Sequence, residues 1–157
     1  MPHRGLYCEA GRPCKRPRLP EPEIDRVKVV VIEDHPLLFD LYLEKLGSIR
    51  RIVVPNRSPV ESFEDALSLF QVHSPDMIIT DLSLTESHAE GFSILRALKR
   101  VPSPPIVVLT TAVYSPHNTD ELCQHLRRSR FDAVFHKLDF EHILPYLDHK
   151  AMQLQSH

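Results

Sequence analysis

The sequence predicts an α/β fold, a doubly wound parallel sheet of five strands in a (βα)5 arrangement, on three observations. From residue 27 onward, short β-branched runs alternate with stretches of helical periodicity, the pattern of βαβ units around a buried parallel sheet. The chain has 157 residues, 42% hydrophobic and 25% charged, which suits one core and is too short for two full-sized domains. Acidic, hydroxyl and amine side chains follow directly after the apolar runs, and in a parallel sheet those positions share one edge.

The elements follow in order. Residues 1–26 hold Pro2, Pro13, Pro17, Pro20 and Pro22 without a periodic apolar face to offset the entropy of ordering, so they are expected to form a disordered basic arm. Arg4, Arg12, Lys15, Arg16 and Arg18 against Glu9 give residues 1–20 a net charge of +4, leaving −6 for the body. An acidic body argues against direct nucleic-acid binding. The stretch from Arg12 to Arg18 reads most simply as solvated. His3, Cys8 and Cys14 are three irregular donors where a structural zinc site takes four. With Cys123 the cysteines are three, an odd and sparse set that fits a reducing compartment. No apolar run of 18 residues and no signal-peptide core occurs, so a cytoplasmic protein away from the membrane is expected.

Val27–Ile32 is the first strand, followed by a helix from Pro36 whose Leu38, Leu41, Tyr42 and Leu46 share a face and which Gly47 is expected to stop. Ile52–Val54 is the second strand. Ser58-Pro59-Val60-Glu61 combines a capping box with proline at the first helical position, which places the start of a helix there with Phe63, Ala66, Leu67 and Phe70 inward. Met77–Thr80, Ile106–Leu109 and Ala133–Phe135 complete the strands, with helices at Phe92–Lys99 and Asn118–Arg128 between them. A last helix starts near Phe140, with Pro145 expected to kink it or delay its start, and residues 150–157 form a short tail to a domain spanning 27–149.

Glu33 and Asp34 follow the first strand, Asp81 the third, Thr110 and Thr111 end the fourth, and Lys137 lies past the fifth. Singly, each has a plain structural explanation: helix or turn caps for the aspartates, strand propensity for the threonines, solvation for the lysine. Jointly, capping does not account for three carboxylates, a hydroxyl and an ammonium on one edge. Three crowded carboxylates repel unless a cation lies among them, and Mg2+, with hard oxygen ligands and retained waters, suits the set.

Four segments, in order, then resemble the receiver domain of two-component response regulators, over residues 27–149. Val29-Val30-Val31-Ile32-Glu33-Asp34-His35-Pro36-Leu37 resembles the opening of receivers in LuxR-type regulators, and Ile78-Ile79-Thr80-Asp81-Leu82-Ser83 the phosphoacceptor segment of the Rcs branch. Pro105-Ile106-Val107-Val108-Leu109-Thr110 is similar to the fourth receiver strand with its switch hydroxyl, and Asp132-Ala133-Val134-Phe135-His136-Lys137 to the fifth with its lysine.

The resemblance implies a flavodoxin-like fold and a set of roles. Asp81 would accept a phosphoryl group from a phosphohistidine on a histidine kinase or phosphotransfer protein. Glu33, Asp34, Asp81 and the backbone carbonyl of Ser83 would hold Mg2+, and Lys137 would neutralise phosphoryl charge. Thr110, counted from Pro105, or Thr111, counted from Asp81, would bind the phosphoryl oxygen. Such a chain is expected to be a signalling protein in a phosphorelay and no enzyme beyond its own phosphorylation and dephosphorylation. Homodimer or heterodimer contacts would run through the last two helices.

Departures from the family pattern stand at the loop Leu84–Gly91, which lacks a proline, at Val134 in place of an aromatic, and at Leu138 in place of a proline. Few residues follow the last helix, so a stand-alone receiver is expected, the alternatives being a receiver fragment of a DNA-binding regulator or an interaction module independent of phosphorylation. A haloacid-dehalogenase phosphatase would need an aspartate where Ser83 stands, and a Rossmann dehydrogenase a G-x-G-x-x-G that four glycines do not supply.

Overall fold

Val27–Ile32 forms β1, with every residue but Lys28 buried, as expected for a central strand covered on both faces. It is followed by α1 (Pro36–Gly47), β2 (Ile52–Val53), α2 (Phe63–His73), β3 (Met77–Asp81), β4 (Ile106–Thr111), β5 (Ala133–His136) and α3 (Phe140–Gln155). The computed structural model describes residues 25–81, 103–112 and 131–157. The arm to residue 24, the loop after Asp81 with Ser83, and the helices expected at Phe92–Lys99 and Asn118–Arg128 lie outside the described residues.

The five strands pair in parallel in the order β2-β1-β3-β4-β5, the flavodoxin-like order. Side chains alternate between two apolar layers. Val27, Val29, Val31, Met77, Ile79 and Val108 face α1 and α3, where they meet Phe39, Tyr42, Leu46, Ile143 and Leu147. Val30, Ile32, Ile78 and Val107 face α2 with Val60 and Ala66. Each such buried side chain contributes about 1.5–3 kcal/mol relative to exposure.

Helix α1 begins at Pro36 as the sequence predicts, and its innermost face is Phe39, Tyr42 and Leu46. Gly47 does not stop it in a left-handed turn. The cap residue Ser48 is right-handed at φ −74, and its hydroxyl and backbone N–H both donate to the Lys45 carbonyl. Helix α2 starts four residues later than its Ser58-Pro59 signature suggests. The N–H of the buried Val60 is committed to the carbonyl of Glu33 at 2.9 Å, a tertiary bond that holds 58–60 along the sheet edge. Ser62 is the cap instead, its hydroxyl accepting from the Asp65 N–H at 3.1 Å.

Strand β2 ends at Val53, one residue earlier than expected, and Pro55 follows. Beyond it the carboxamide of buried Asn56 accepts from the Val31 N–H at 3.2 Å and donates to the Val31 carbonyl at 2.8 Å. One side chain thus substitutes for the missing peptide of the neighbouring strand.

Helix α3 begins at Phe140, as the sequence predicts, with Pro145 inside it; the proline does not delay the start, because it removes a single donor early in the helix. The helix also runs through most of 150–157, expected as a short tail, since Ala151 continues the buried Ile143 and Leu147 stripe at four-residue spacing. Gln155 Nε2 donates to the Asp25 carbonyl at 2.8 Å, and Arg51 pairs with Asp148 at 2.9 Å. Among the described residues, no helix is long and apolar enough to cross a membrane.

Candidate functional site: an acidic cluster at the carboxyl edge of the sheet

The strand order reverses direction at β1, and in an open parallel sheet such a switch point is where a crevice lies beside the carboxyl ends of the strands, here β1 and β3. Strand alternation determines what points into it. Glu33 continues the Val29 and Val31 face, Asp81 the Met77 and Ile79 face, and Thr110 the Val108 face, so all three lie on the α1 and α3 side. Asp81 and Thr110 are direct register partners. Thr111 alternates to the other side, pairs with His136, and accepts the Lys137 N–H on its carbonyl at 3.2 Å. The register therefore separates two threonines that counting along the chain does not.

Glu33, Asp34 and Asp81 each place a carboxylate oxygen within 4.8 Å of the others. Glu33 and Asp81 are each 1% exposed, while Asp34 is open to solvent. Lys137 Nζ lies 2.8 Å from Asp81 Oδ2 and 3.9 Å from Glu33 Oε2. The His35 N–H donates to Glu33 Oε1 at 3.0 Å, but Glu33 Oε2 is buried without a hydrogen-bond partner. Burial, and secondarily the charge of Asp81, push the Glu33 carboxyl up to about 7, against the His35 N–H and Lys137, which lower it. Burial by itself would lower the Lys137 ammonium; the hydrogen bond and charge of Asp81, with Glu33 and Asp34 behind it, raise it instead.

A buried acceptor without a donor, among three carboxylates and one ammonium, is short of positive charge. The donor set is hard oxygen throughout, so the residues fit a small divalent cation such as Mg2+. Of the expected site residues, Glu33, Asp34, Asp81, Thr110 and Lys137 converge, Thr111 lies on the neighbouring face, and Ser83 falls outside the described residues.

Two residues that touch this edge are not legible as site residues in the sequence. Tyr42 reads as one more member of an apolar helix stripe, yet its hydroxyl donates to the Lys137 carbonyl at 2.8 Å. A buried tyrosine needs such a partner, which is the one available signal. Asn56 reads as a loop residue and occupies both backbone groups of Val31, two residues before Glu33.

A receiver-domain family model, described as the response regulator receiver domain, matches residues 29–125. Among characterised proteins, the sensory transduction protein LytT of Bacillus anthracis is 27% identical over 130 residues, 83% of this chain and 49% of that protein. The chain thus spans about half the length of the curated relatives it matches. Among solved structures, the signal receiver domain of NarL from Mycobacterium tuberculosis superposes with a TM-score of 0.67 at 21% identity, covering 82% of this chain and 98% of that one. A chain from the complex of the P1 domain of CheA3 with CheY6 of R. sphaeroides gives 0.64 at 14% identity, covering 82% and 98%. At such identities the superpositions speak for the fold alone, while the family match covers more than half of the chain and includes the acidic pair, Asp81 and both threonines. The chain belongs to the response regulator receiver domain family, the signalling modules of two-component signal transduction.

Proposed function

We propose that Asp81 accepts a phosphoryl group from a phosphohistidine on a histidine kinase or phosphotransfer protein in the cytoplasm, and that the domain passes the signal on through protein contacts. The observation that carries this reading is the Lys137 ammonium at 2.8 Å from a buried Asp81, beside a Glu33 oxygen that lacks a hydrogen-bond partner. A carboxylate oxygen of Asp81 attacks phosphorus, the phosphorus–nitrogen bond to imidazole breaks, and the imidazole leaves with the electron pair and is protonated. Lys137 stands where it can follow the phosphoryl oxygens as charge develops.

Glu33, Asp34 and Asp81, with the Ser83 carbonyl, are the residues that would hold Mg2+. When bound, the ion neutralises charge on the transferring group. Thr110, in register with Asp81 on the same face, takes the switch-hydroxyl role in preference to Thr111. The named complex of a CheA3 P1 domain with CheY6 supports a kinase or phosphotransfer domain as donor. Output contacts with a second copy or another protein use the faces that follow β4 and β5.

The test is incubation with acetyl phosphate and Mg2+ followed by intact-mass measurement. One phosphoryl group is expected on the wild type and none on Asp81→Asn. A wild type that gains no mass under these conditions would identify the domain as an interaction module that works without phosphorylation.

A further inference from the structure

The Tyr42 ring is completely buried at the heart of the layer between the sheet and α1 and α3, yet its hydroxyl reaches the functional edge. Its three contacts differ in kind. The phenol donates to the Lys137 carbonyl at 2.8 Å, across 95 residues of sequence. The Thr110 hydroxyl is a neighbour of the phenol and works to lower its pKa, against the burial that raises it. The ring meets Phe140, the first residue of α3, edge to face with centroids 5.0 Å apart.

Thr110 is not otherwise firmly held. Its hydroxyl lies 3.5 Å from the Thr80 carbonyl, the long limit for such a bond. Lys137, by contrast, is anchored through its backbone, by its N–H on Thr111 and its carbonyl on Tyr42. One phenol is thus bonded to the backbone of Lys137 and neighbours Thr110, the two residues that would meet a phosphoryl group on Asp81. Burial holds that phenol protonated far above the usual range, so it remains a donor at any working pH.

We propose that Tyr42 is a positioning residue for phosphoryl capture, fixing Lys137 through its carbonyl and holding the Thr110 hydroxyl until a phosphoryl group competes for it. The inference rests on the reading of Asp81 as phosphoacceptor. Its consequence is a route for the signal that the half-buried Val134, which has no ring to turn, does not offer. When Thr110 turns toward the phosphoryl oxygen, Tyr42 loses a partner, and the ring that meets Phe140 registers the change at the first turn of α3.

Two measurements on the full chain test this. In the first, phosphorylation by acetyl phosphate is followed in wild type and Tyr42→Phe at saturating Mg2+, with urea midpoints measured alongside. Losing the phenol donor is expected to lower kcat roughly five- to tenfold with KM unchanged, because the loss falls on the transition state. In the second, the Tyr42 ring-carbon resonance is followed as the phosphoryl mimic beryllofluoride is added. It should shift in wild type and stay still in Thr110→Val. The proposal is overturned by an unchanged kcat in Tyr42→Phe, or by a silent Tyr42 resonance in a wild type that does become phosphorylated. If Tyr42→Phe does not fold, the resonance alone decides. A wild type that takes no phosphoryl group fails at Asp81 itself, a distinct result that removes this proposal along with its basis.

Discussion

Replacing Glu33 by Gln should stabilise the metal-free protein, and increasingly so as the pH rises. Glu33 is 1% exposed and its carboxyl titrates near 7 in the folded chain against 4.5 when unfolded. The folded value is the higher, so the native state prefers the protonated form. Below pH 4.5 both states are protonated and Glu33 costs nothing. Between 4.5 and 7 the unfolded chain releases the proton while the folded one retains it, and stability falls with pH until the folded carboxyl has ionised as well. The gap of about 2.5 in pKa, at about 1.4 kcal/mol for each, gives about 3 kcal/mol lost by pH 8. Gln cannot ionise, and its carbonyl oxygen can still accept the His35 N–H that Oε1 accepts now. Urea unfolding of both proteins in EDTA at pH 5, 6, 7 and 8 should therefore show near-equal stability at pH 5 and an advantage for Glu33→Gln that grows to a few kcal/mol at pH 8. A difference that is flat with pH, or a wild type that gains on the variant as pH rises, would refute the reasoning.

Added Mg2+ should raise the wild-type melting temperature by mass action, and Asp34→Asn, which removes the solvent-side carboxylate of the cluster, should abolish that rise; an undiminished response would place the ion elsewhere. Asn56→Ala should cost about 2–4 kcal/mol in urea unfolding, since it leaves both the N–H and the carbonyl of Val31 without their partner. A loss below 0.5 kcal/mol, on the order of an ordinary surface change, would show that water replaces the side chain.

The legible part of the molecule is the part whose signals are local. Five apolar runs in a βα rhythm define the strands, and the polar residue after each run marks the functional edge, so Glu33, Asp34, Asp81 and Lys137 stand out from their places in the chain. What the sequence hides is set by contacts between distant segments. Ser58-Pro59 has the chemistry of a helix start, but the Val60 N–H answers to Glu33, 27 residues earlier. Thr110 and Thr111 are neighbours of the same type, and only the pairing of β4 with β3 assigns one of them to Asp81. Tyr42 looks apolar because most of it is; the one polar atom finds Lys137 across the sheet edge. The end of α3 is hidden for the opposite reason, because Ala151 carries a weak apolar signal and yet is completely buried.

The brevity of β2 bears on solubility. A strand at the border of a sheet offers its unpaired backbone groups to any other chain, and Val27–Ile32, apolar and β-branched with one charge, is the kind of segment that stacks into aggregates when a neighbour can reach it. Here the border strand is only Ile52 and Val53, and Pro55 has no N–H to offer an incoming strand. Past that point β1 would be open, but Asn56 occupies both backbone groups of Val31. The side chain therefore acts as a plug against strand addition, and its loss should be felt in the test tube as self-association that grows with protein concentration, beyond what lower stability alone produces.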